Sequence, residues 1–214
     1  MKDAIPKQIE GSFSDTVSEV NFETVAEAKI HFEAVKNRFL DINSWELFAG
    51  EQKASFSLRD KEGNLLLETP QEENYLRIEI PGFKNACGEG FDWVIIEKIE
   101  EESTPSIESV FIRVRPISDP TKQENKTAHF FCDKATCTFI IKRIGSNIFA
   151  EVHGRNEEPN IQHLNFSEKA RNFLVAMGGI LGGSKFQWKS LTEGLIKKKN
   201  KFRECFSPAF FSTE

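Results

Sequence analysis

The stretch from Asn165 to Lys198 reads NFSEKARNFLVAMGGILGGSKFQWKSLTEGLIKK and follows a run of short alternating segments. Its apolar residues recur at three- and four-residue steps, which predicts a long amphipathic helix with one face directed at the rest of the fold. A long C-terminal helix laid across an antiparallel sheet is an α+β arrangement. The apolar face consists of Ala170, Phe173, Leu174, Met177, Leu181, Trp188, Leu191 and Leu195.

A block of four glycines, Gly178, Gly179, Gly182 and Gly183, interrupts this helix, and each lowers helix stability by about 1 kcal/mol relative to alanine. One interpretation is close packing against another helix, or a bend or break at this point. The other is that the missing side chains leave volume for a ligand, since binding pockets are concave. The candidate ligand-binding residues of this block are Phe173, Met177, Gly178, Gly179, Gly182 and Gly183.

A second helix is predicted near the start of the chain. Thr24 is followed three residues later by Glu27, which is the spacing of a capping box. The apolar residues that follow recur at helical spacing, so one face of this helix should also be buried. They are Val25, Ala28, Phe32, Val35, Phe39 and Ile42.

Between the two helices the apolar residues alternate with period two, as half-buried strands require. Charged, proline-containing segments at Glu100–Glu108 and Ser118–Lys126 are expected to be surface loops, and Gly145-Ser146-Asn147 a tight hairpin turn. We expect a curved antiparallel sheet of six to eight strands. The predicted strands are Ser12–Val20, Lys53–Arg59, Leu65–Glu68, Tyr75–Ile80, Phe91–Ile99, Ser109–Pro116, Thr136–Arg143 and Asn147–His153, with Thr127–Cys132 as a further candidate.

The chain's bulk properties exclude several classes of protein. A net charge of −5 over 214 residues argues against nucleic-acid binding, and no apolar run reaches the length of a membrane span. The N-terminus lacks the apolar region of a signal peptide, and the four cysteines have no disulfide-framework spacing. These features predict a cytoplasmic protein with free thiols, which we expect to be a monomer or a weak dimer.

The order strand, helix, six or seven strands and long helix resembles the START-like, helix-grip (SRPBCC) superfamily, which includes pollen-allergen and polyketide cyclase proteins. Residues Val35 to Trp45 resemble its helix-to-strand passage, where a tryptophan is often found, and Asp92 to Ile96 lie where a strand is expected. The resemblance implies a sheet that grips the long helix, with an apolar cavity between them. We therefore divide the chain into a flexible N-terminus (1–11), a START-like domain (12–198) and a basic, aromatic tail (199–214) that either docks on the domain or touches anionic lipid.

Several residues are candidates for a site. Trp93 and Phe139 are expected to line the cavity, within a composition of 20 Phe against one Tyr. Arg113 and Arg115 would bind a ligand carboxylate or phosphate if their strand face lined the cavity, although alternation with Val110, Ile112 and Val114 directs them to water.

The run from His153 to Asn160 is expected to be a loop that leads into the closing helix. His153 could act there as an acid or base, with Arg155 binding an anion and Glu157 orienting either group. The alternative is a solvated turn. His129, Cys132 and Cys137 match no zinc spacing, so we expect neither a metal nor a cofactor.

The sequence thus favours a protein that binds a small apolar or amphipathic, lipid-like molecule without chemistry. One alternative is a cyclase or hydrolase-type enzyme that uses His153, Arg155 and Glu157. The other is a protein-interaction module with a START-like fold.

Overall fold

A computed structural model describes residues 4–49, 54–80, 87–123, 126–160 and 188–198 of the chain. Within these ranges a strand is followed by helices, six further strands and a final helical segment. The elements are β1 (Ser12–Asn21), α1 (Val25–Leu40), a 3-10 helix (Ile42–Ser44), α2 (Trp45–Ala49), β2 (Ser55–Arg59), β3 (Tyr75–Glu79), β4 (Asp92–Ser103), β5 (Ile107–Pro116), β6 (Thr136–Ile144), β7 (Asn147–Glu157) and α3 (188–196).

The seven strands form one antiparallel sheet in the order β1-β7-β6-β5-β4-β3-β2. Consecutive strands from β2 to β7 are neighbours in the sheet, and the last strand, β7, also pairs with the first, β1. This confirms the predicted α+β class, because seven antiparallel strands form one sheet and a C-terminal helical segment packs against it. The glycine block of residues 177–183 and Phe173 lie outside the described residues.

The sheet has two faces with different roles. We call the face that packs against α1 and α3 the inner face, and the opposite one the outer face. Apolar side chains of β5 such as Val110, Ile112 and Val114 point inward and belong to the same buried cluster as Leu191 of α3. The outer face carries the polar residues that alternate with them.

Helix α1 begins as predicted. The Thr24 hydroxyl accepts a hydrogen bond from the Glu27 amide at 3.2 Å, which satisfies one of the open amides of the first turn. The predicted face is buried at Ala28, Phe32, Val35 and Phe39. Val25 is the exception, since it lies in the first turn and stays 45% exposed.

Two predicted strands are absent from the described part of the chain. Residues 65–68 contribute only a single bridge from Leu65 to Arg59, and Leu67 is 85% exposed. The carboxylate of Asp60 accepts from the Glu62 and Asn64 amides and holds a local turn, so β2 pairs with β3 instead. Residues 127–132 likewise make isolated bridges only.

Two predicted loops are strands. Residues 100–108 form the tip of the β4–β5 hairpin, where pairing continues as far as Ser103 opposite Glu108. The hydrogen bonds of the ladder join backbone groups and do not require apolar side chains, and every residue from 100 to 108 is exposed or half-buried, so charged residues are tolerated there. Similarly, β7 runs on to Glu157, so His153 and Arg155 lie on a strand and not in a loop.

The N-terminal residues 4–11, predicted to be loose, are docked on the sheet. The Asn156 side-chain oxygen accepts from the amides of Ile9 and Glu10, at 2.8 and 3.2 Å. Ala4 is buried on the outer face, where it contacts Phe111 and Ile140. Asn156 has a φ of 54° at a bulge opposite β1, and this left-handed backbone brings its side chain to the N-terminal segment.

Candidate functional site

Five aromatic rings form a cluster on the inner face, which we call the aromatic cluster. Trp45 is fully buried at its centre, and its ring centroid lies 4.9 Å from that of Phe139 and 5.4 Å from that of Phe56. Its indole N–H donates to the Phe39 carbonyl at 2.9 Å, so its one polar atom is satisfied. Trp188 of α3 completes the cluster at 5.4 Å from Phe139.

One side of this cluster is not fully covered. Trp188 and Ile78 are only half-buried, although both belong to the inner face. Ile78 is the strand partner of Phe56, and the Phe56 ring lies 6.1 Å from that of Trp188. Phe56, Ile78, Phe139 and Trp188 therefore make a continuous apolar surface that reaches solvent at two points, and we call it the inner patch.

The predicted cavity residues divide between the two faces. Phe139 belongs to the inner patch, as expected. Trp93 is buried but alternates with the inward-facing Val94 and Ile96, which places it on the outer face. Among the described residues its indole nitrogen has no hydrogen-bond partner. Trp93 therefore does not line the inner face, where the cavity was predicted.

Arg113 and Arg115 also lie on the outer face, as the alternation indicates. Both donate through Nε to the carboxylate of Glu97, which in the case of Arg113 is 3.1 Å away. Arg115 makes a further bond to the Asp133 carbonyl at 2.9 Å. These guanidinium groups join β4 to β5 and do not reach the inner patch.

A row of charged side chains crosses β6, β7 and β1 on the outer face. His153 lies at its centre, with Nδ1 at 2.5 Å from Asp15 and Nε2 at 2.9 Å from Glu151. Lys142 pairs with Glu151 at 2.6 Å, and Arg155 pairs with Asp15 at 2.8 Å. We call Lys142, Glu151, His153, Asp15 and Arg155 the ionic row.

The contacts of the ionic row shift its pKa values. Burial alone would lower the pKa of His153, but its hydrogen bonds to Glu151 and Asp15 outweigh burial and raise it. Burial would raise the pKa of Glu151, yet the bonds from His153 and Lys142 lower it. The pKa of Asp15 is lowered in the same way by His153 and Arg155, against the effect of burial. When His153 is protonated, its positive charge and the negative charges of Glu151 and Asp15 therefore stabilise each other.

The structure does not bring the predicted catalytic trio together. His153 and Arg155 both contact Asp15 on the outer face. The carboxylate of Glu157 instead lies against the backbone of Gly154. A Cβ on Gly154 would be 2.0 Å from the Glu157 carboxylate, which also accepts from Ser14. Because both nitrogens of His153 contact carboxylates, general-base chemistry would first require the row to open. Asp15 was missed from the sequence because it is 138 residues away from His153.

We expect the ionic row to make stability depend on pH in a defined window. The folded pKa of His153 is raised, so its contribution is complete below the unfolded value of about 6.5 and is lost as pH rises through the folded value. The folded pKa values of Asp15 and Glu151 are lowered, so their contribution is present above about pH 4 and is lost as pH falls. Urea unfolding of the wild type and His153→Gln from pH 4 to 9 should show the largest difference near pH 5–6.

His31 provides a control, because its pKa is shifted in the direction opposite to that of His153. Burial lowers the pKa of this imidazole, whose Nε2 lies 3.0 Å from the Ile196 carbonyl. Its stabilising effect is therefore present at neutral pH and is lost as pH falls, so His31→Gln should cost least at low pH. A His153→Gln difference that grows between pH 6.5 and 9 would contradict the charged role of His153.

No metal-binding group of three or more His, Cys, Asp or Glu side chains occurs in the described ranges. His129 accepts a bond from the Phe131 amide at 2.9 Å, and burial lowers its pKa to about 3, so it is neutral. Among the described residues no disulfide joins Cys87, Cys132 or Cys137, and Cys205 lies outside the described residues. Burial raises the pKa of Cys132 and of Cys137, which keeps both thiols protonated.

Over the parts of the chain that are described, no helix is both long and apolar enough to cross a membrane.

Comparison with known proteins gives remote structural similarity alone. No family model and no curated protein matches the chain significantly. Among solved structures, hypothetical protein jhp0584 from Helicobacter pylori is 11% identical, with 86% of this chain and 87% of that chain covered and a TM-score of 0.45. Ginseng major latex-like protein 151 from Panax ginseng is 10% identical over 82% of this chain and 99% of its own, with a TM-score of 0.37. Truncated norcoclaurine synthase from Thalictrum flavum is 7% identical over 91% and 100%, with a TM-score of 0.34. These values are too low to support any function.

Proposed function

We propose that the protein binds a small apolar or amphipathic molecule against the inner patch, on the side of the sheet that faces the C-terminal helix, and performs no chemistry on it. The observation that carries this proposal is the partial exposure of Ile78 and Trp188 beside the buried rings of Phe56 and Phe139. A lipid-like ligand would cover these side chains and remove their apolar surface from water.

The chemistry of the inner patch fits such a ligand. Phe56, Ile78 and Phe139 offer no hydrogen-bonding groups, and Trp188 adds a large aromatic surface. The charged ionic row lies on the other face of the sheet and does not contribute to this surface. Contact with the inner patch would therefore select for apolar area and shape, as in small-molecule pockets generally.

Native mass spectrometry of the purified chain should reveal a co-purifying lipid-like molecule. A variant tests the location of the site. Ile78→Trp should fill the open part of the inner patch, lower the affinity for an apolar fluorescent probe by about tenfold or more, and leave the melting temperature unchanged or higher. The reason is that the new ring occupies the space and the apolar surface that the ligand would cover.

The matched control is Ile30→Trp, which adds the same ring at a position of α1 that is 77% exposed. It should change neither stability nor probe affinity. A filled inner face would give a different result, since overpacking would destabilise Ile78→Trp by about 1–3 kcal/mol. That loss of stability with unchanged probe affinity would overturn the proposed function.

A further inference from the structure

An open groove of about 460 Å³ lies on the outer face of the sheet, where the N-terminal segment crosses β5 and β6. Its apolar wall is formed by Ile5, Ile107 and Ile140. The volume is within the range of sites for small organic molecules. The groove is separated from the inner patch by the sheet itself, because Ile140 alternates with the inward-facing Phe139 and Ile141.

Ser109 is a buried polar group in the groove. Its side chain is 2% exposed, and within the described chain its hydroxyl has no hydrogen-bond partner. A buried hydroxyl without a partner is unfavourable, and such groups in folded proteins call for an explanation. Because Ser109 lines the groove, a molecule bound there could supply the missing partner.

Lys142 gives the groove a cation with remaining donors. Its ammonium group bonds to one oxygen of Glu151 at 2.6 Å and lies 5.4 Å from the centre of the Phe149 ring. An ammonium group has three N–H donors, so this pairing does not exhaust it. The other oxygen of Glu151 already bonds to His153, which is itself held by Asp15. The carboxylate of Glu151 is thus engaged on both oxygens, and the groove is left with donors at Ser109 and Lys142.

We propose that this groove binds a small amphipathic monocarboxylate. Its carboxylate accepts hydrogen bonds from the Ser109 hydroxyl and the Lys142 ammonium group, and its alkyl body covers Ile5, Ile107 and Ile140. Charge-assisted bonds to a carboxylate are among the stronger hydrogen bonds available to a hydroxyl and an ammonium group. Glu102 is the remaining carboxylate of the lining, and its negative charge is expected to weaken the binding of an anion in the groove.

The experiment uses octanoate and the full chain, with the methyl NMR signals of Ile107 and Ile140 as reporters. Octanoate should shift both signals in a saturable way, and Ser109→Ala should weaken binding by about tenfold or more. Thr136→Val is the matched control, since the Thr136 hydroxyl is also buried on the outer face without a partner in the described chain but does not line the groove. Both variants should melt at a higher temperature than the wild type, and only Ser109→Ala should lose octanoate.

Two further sets of measurements test the charge of the ligand and the location of its binding site. Octylammonium should bind more weakly than octanoate, and Glu102→Gln should leave octanoate binding unchanged or tighter. Ile78→Trp should not affect the Ile107 and Ile140 shifts, so a failure of the inner-face proposal remains distinguishable from a failure of this one. The proposal is overturned if octanoate leaves the Ile107 and Ile140 signals unmoved, or if Ser109→Ala and Thr136→Val bind octanoate with equal affinity. It is also overturned if octylammonium binds more tightly than octanoate, or if Ile78→Trp abolishes the octanoate-induced shifts.

Discussion

Replacing Trp45 by alanine is expected to lower the free energy of unfolding by about 3–5 kcal/mol, the range for a large aromatic residue removed from a core. The side chain is 0% exposed and contacts the rings of Phe39, Phe56 and Phe139. Its removal leaves a cavity between α2 and the sheet that the surrounding strands cannot fill. Urea denaturation would measure the change, and the melting temperature should fall by roughly 10 °C.

Leu47→Ala is the control for this prediction. Leu47 lies in the same helix but is 74% exposed, so the change should stay within about 0.5 kcal/mol. Trp45→Phe should fall between the two, because it keeps a ring but leaves the Phe39 carbonyl without its indole donor. A loss below about 1 kcal/mol for Trp45→Ala would mean that the aromatic cluster collapses into existing empty space, which is inconsistent with a packed inner face.

The sequence was sufficient to predict an element wherever its hydrophobic pattern extended over many residues and one of its faces was buried. The helical spacing from Ala28 to Phe39 predicted α1 and its buried side, and Thr24 marked its start. The alternation along β5 correctly separated the inward Val110, Ile112 and Val114 from the outward Arg113 and Arg115. In both cases a single amphipathic pattern is enforced by burial against one neighbour.

The sequence was insufficient to predict those parts of strands that are held by backbone pairing with a neighbouring strand and not by burial of side chains. The β4–β5 tip and the end of β7 are charged, so they resemble loops, yet their partners extend the ladder through them. Which strand faces which cannot be deduced from local pattern. For the same reason the contact of His153 with Asp15 was not predictable, because it depends on β1 returning beside β7.

The outer groove did have a signal that could have been used. Phe111 and Ile140 are apolar residues at outward positions, among polar neighbours such as Ser109 and Lys142. An apolar pair on a polar face indicates that another segment covers it, and here that segment is residues 4–5. Because the N-terminal residues were predicted to be loose, they were not considered as the segment that covers Phe111 and Ile140.

Replacing Arg143 by methionine is expected to destabilise the fold by about 3–5 kcal/mol, as for a buried ion pair that loses one partner. The side chain is 0% exposed, and its Nε donates to the Glu108 carboxylate at 2.5 Å. The same guanidinium also donates to the Gly145 carbonyl at 2.7 Å, where the β6–β7 turn closes. Removal therefore leaves a half-buried carboxylate and a turn carbonyl without donors, and methionine fills the volume but cannot bond to either.

Arg113→Met is the matched control on the neighbouring strand. Arg113 is half-buried, and its partner Glu97 keeps a second guanidinium from Arg115, so the loss should be about 1 kcal/mol or less. The double variant Arg143→Met/Glu108→Gln should recover part of the stability, because it no longer leaves a charge uncompensated. If Arg143→Met loses no more than Arg113→Met, or if the double variant recovers nothing, the free energy resides in apolar packing of the Arg143 stem and not in its charge. The role of Arg143 in holding the β6–β7 turn to β5 would then have to be abandoned.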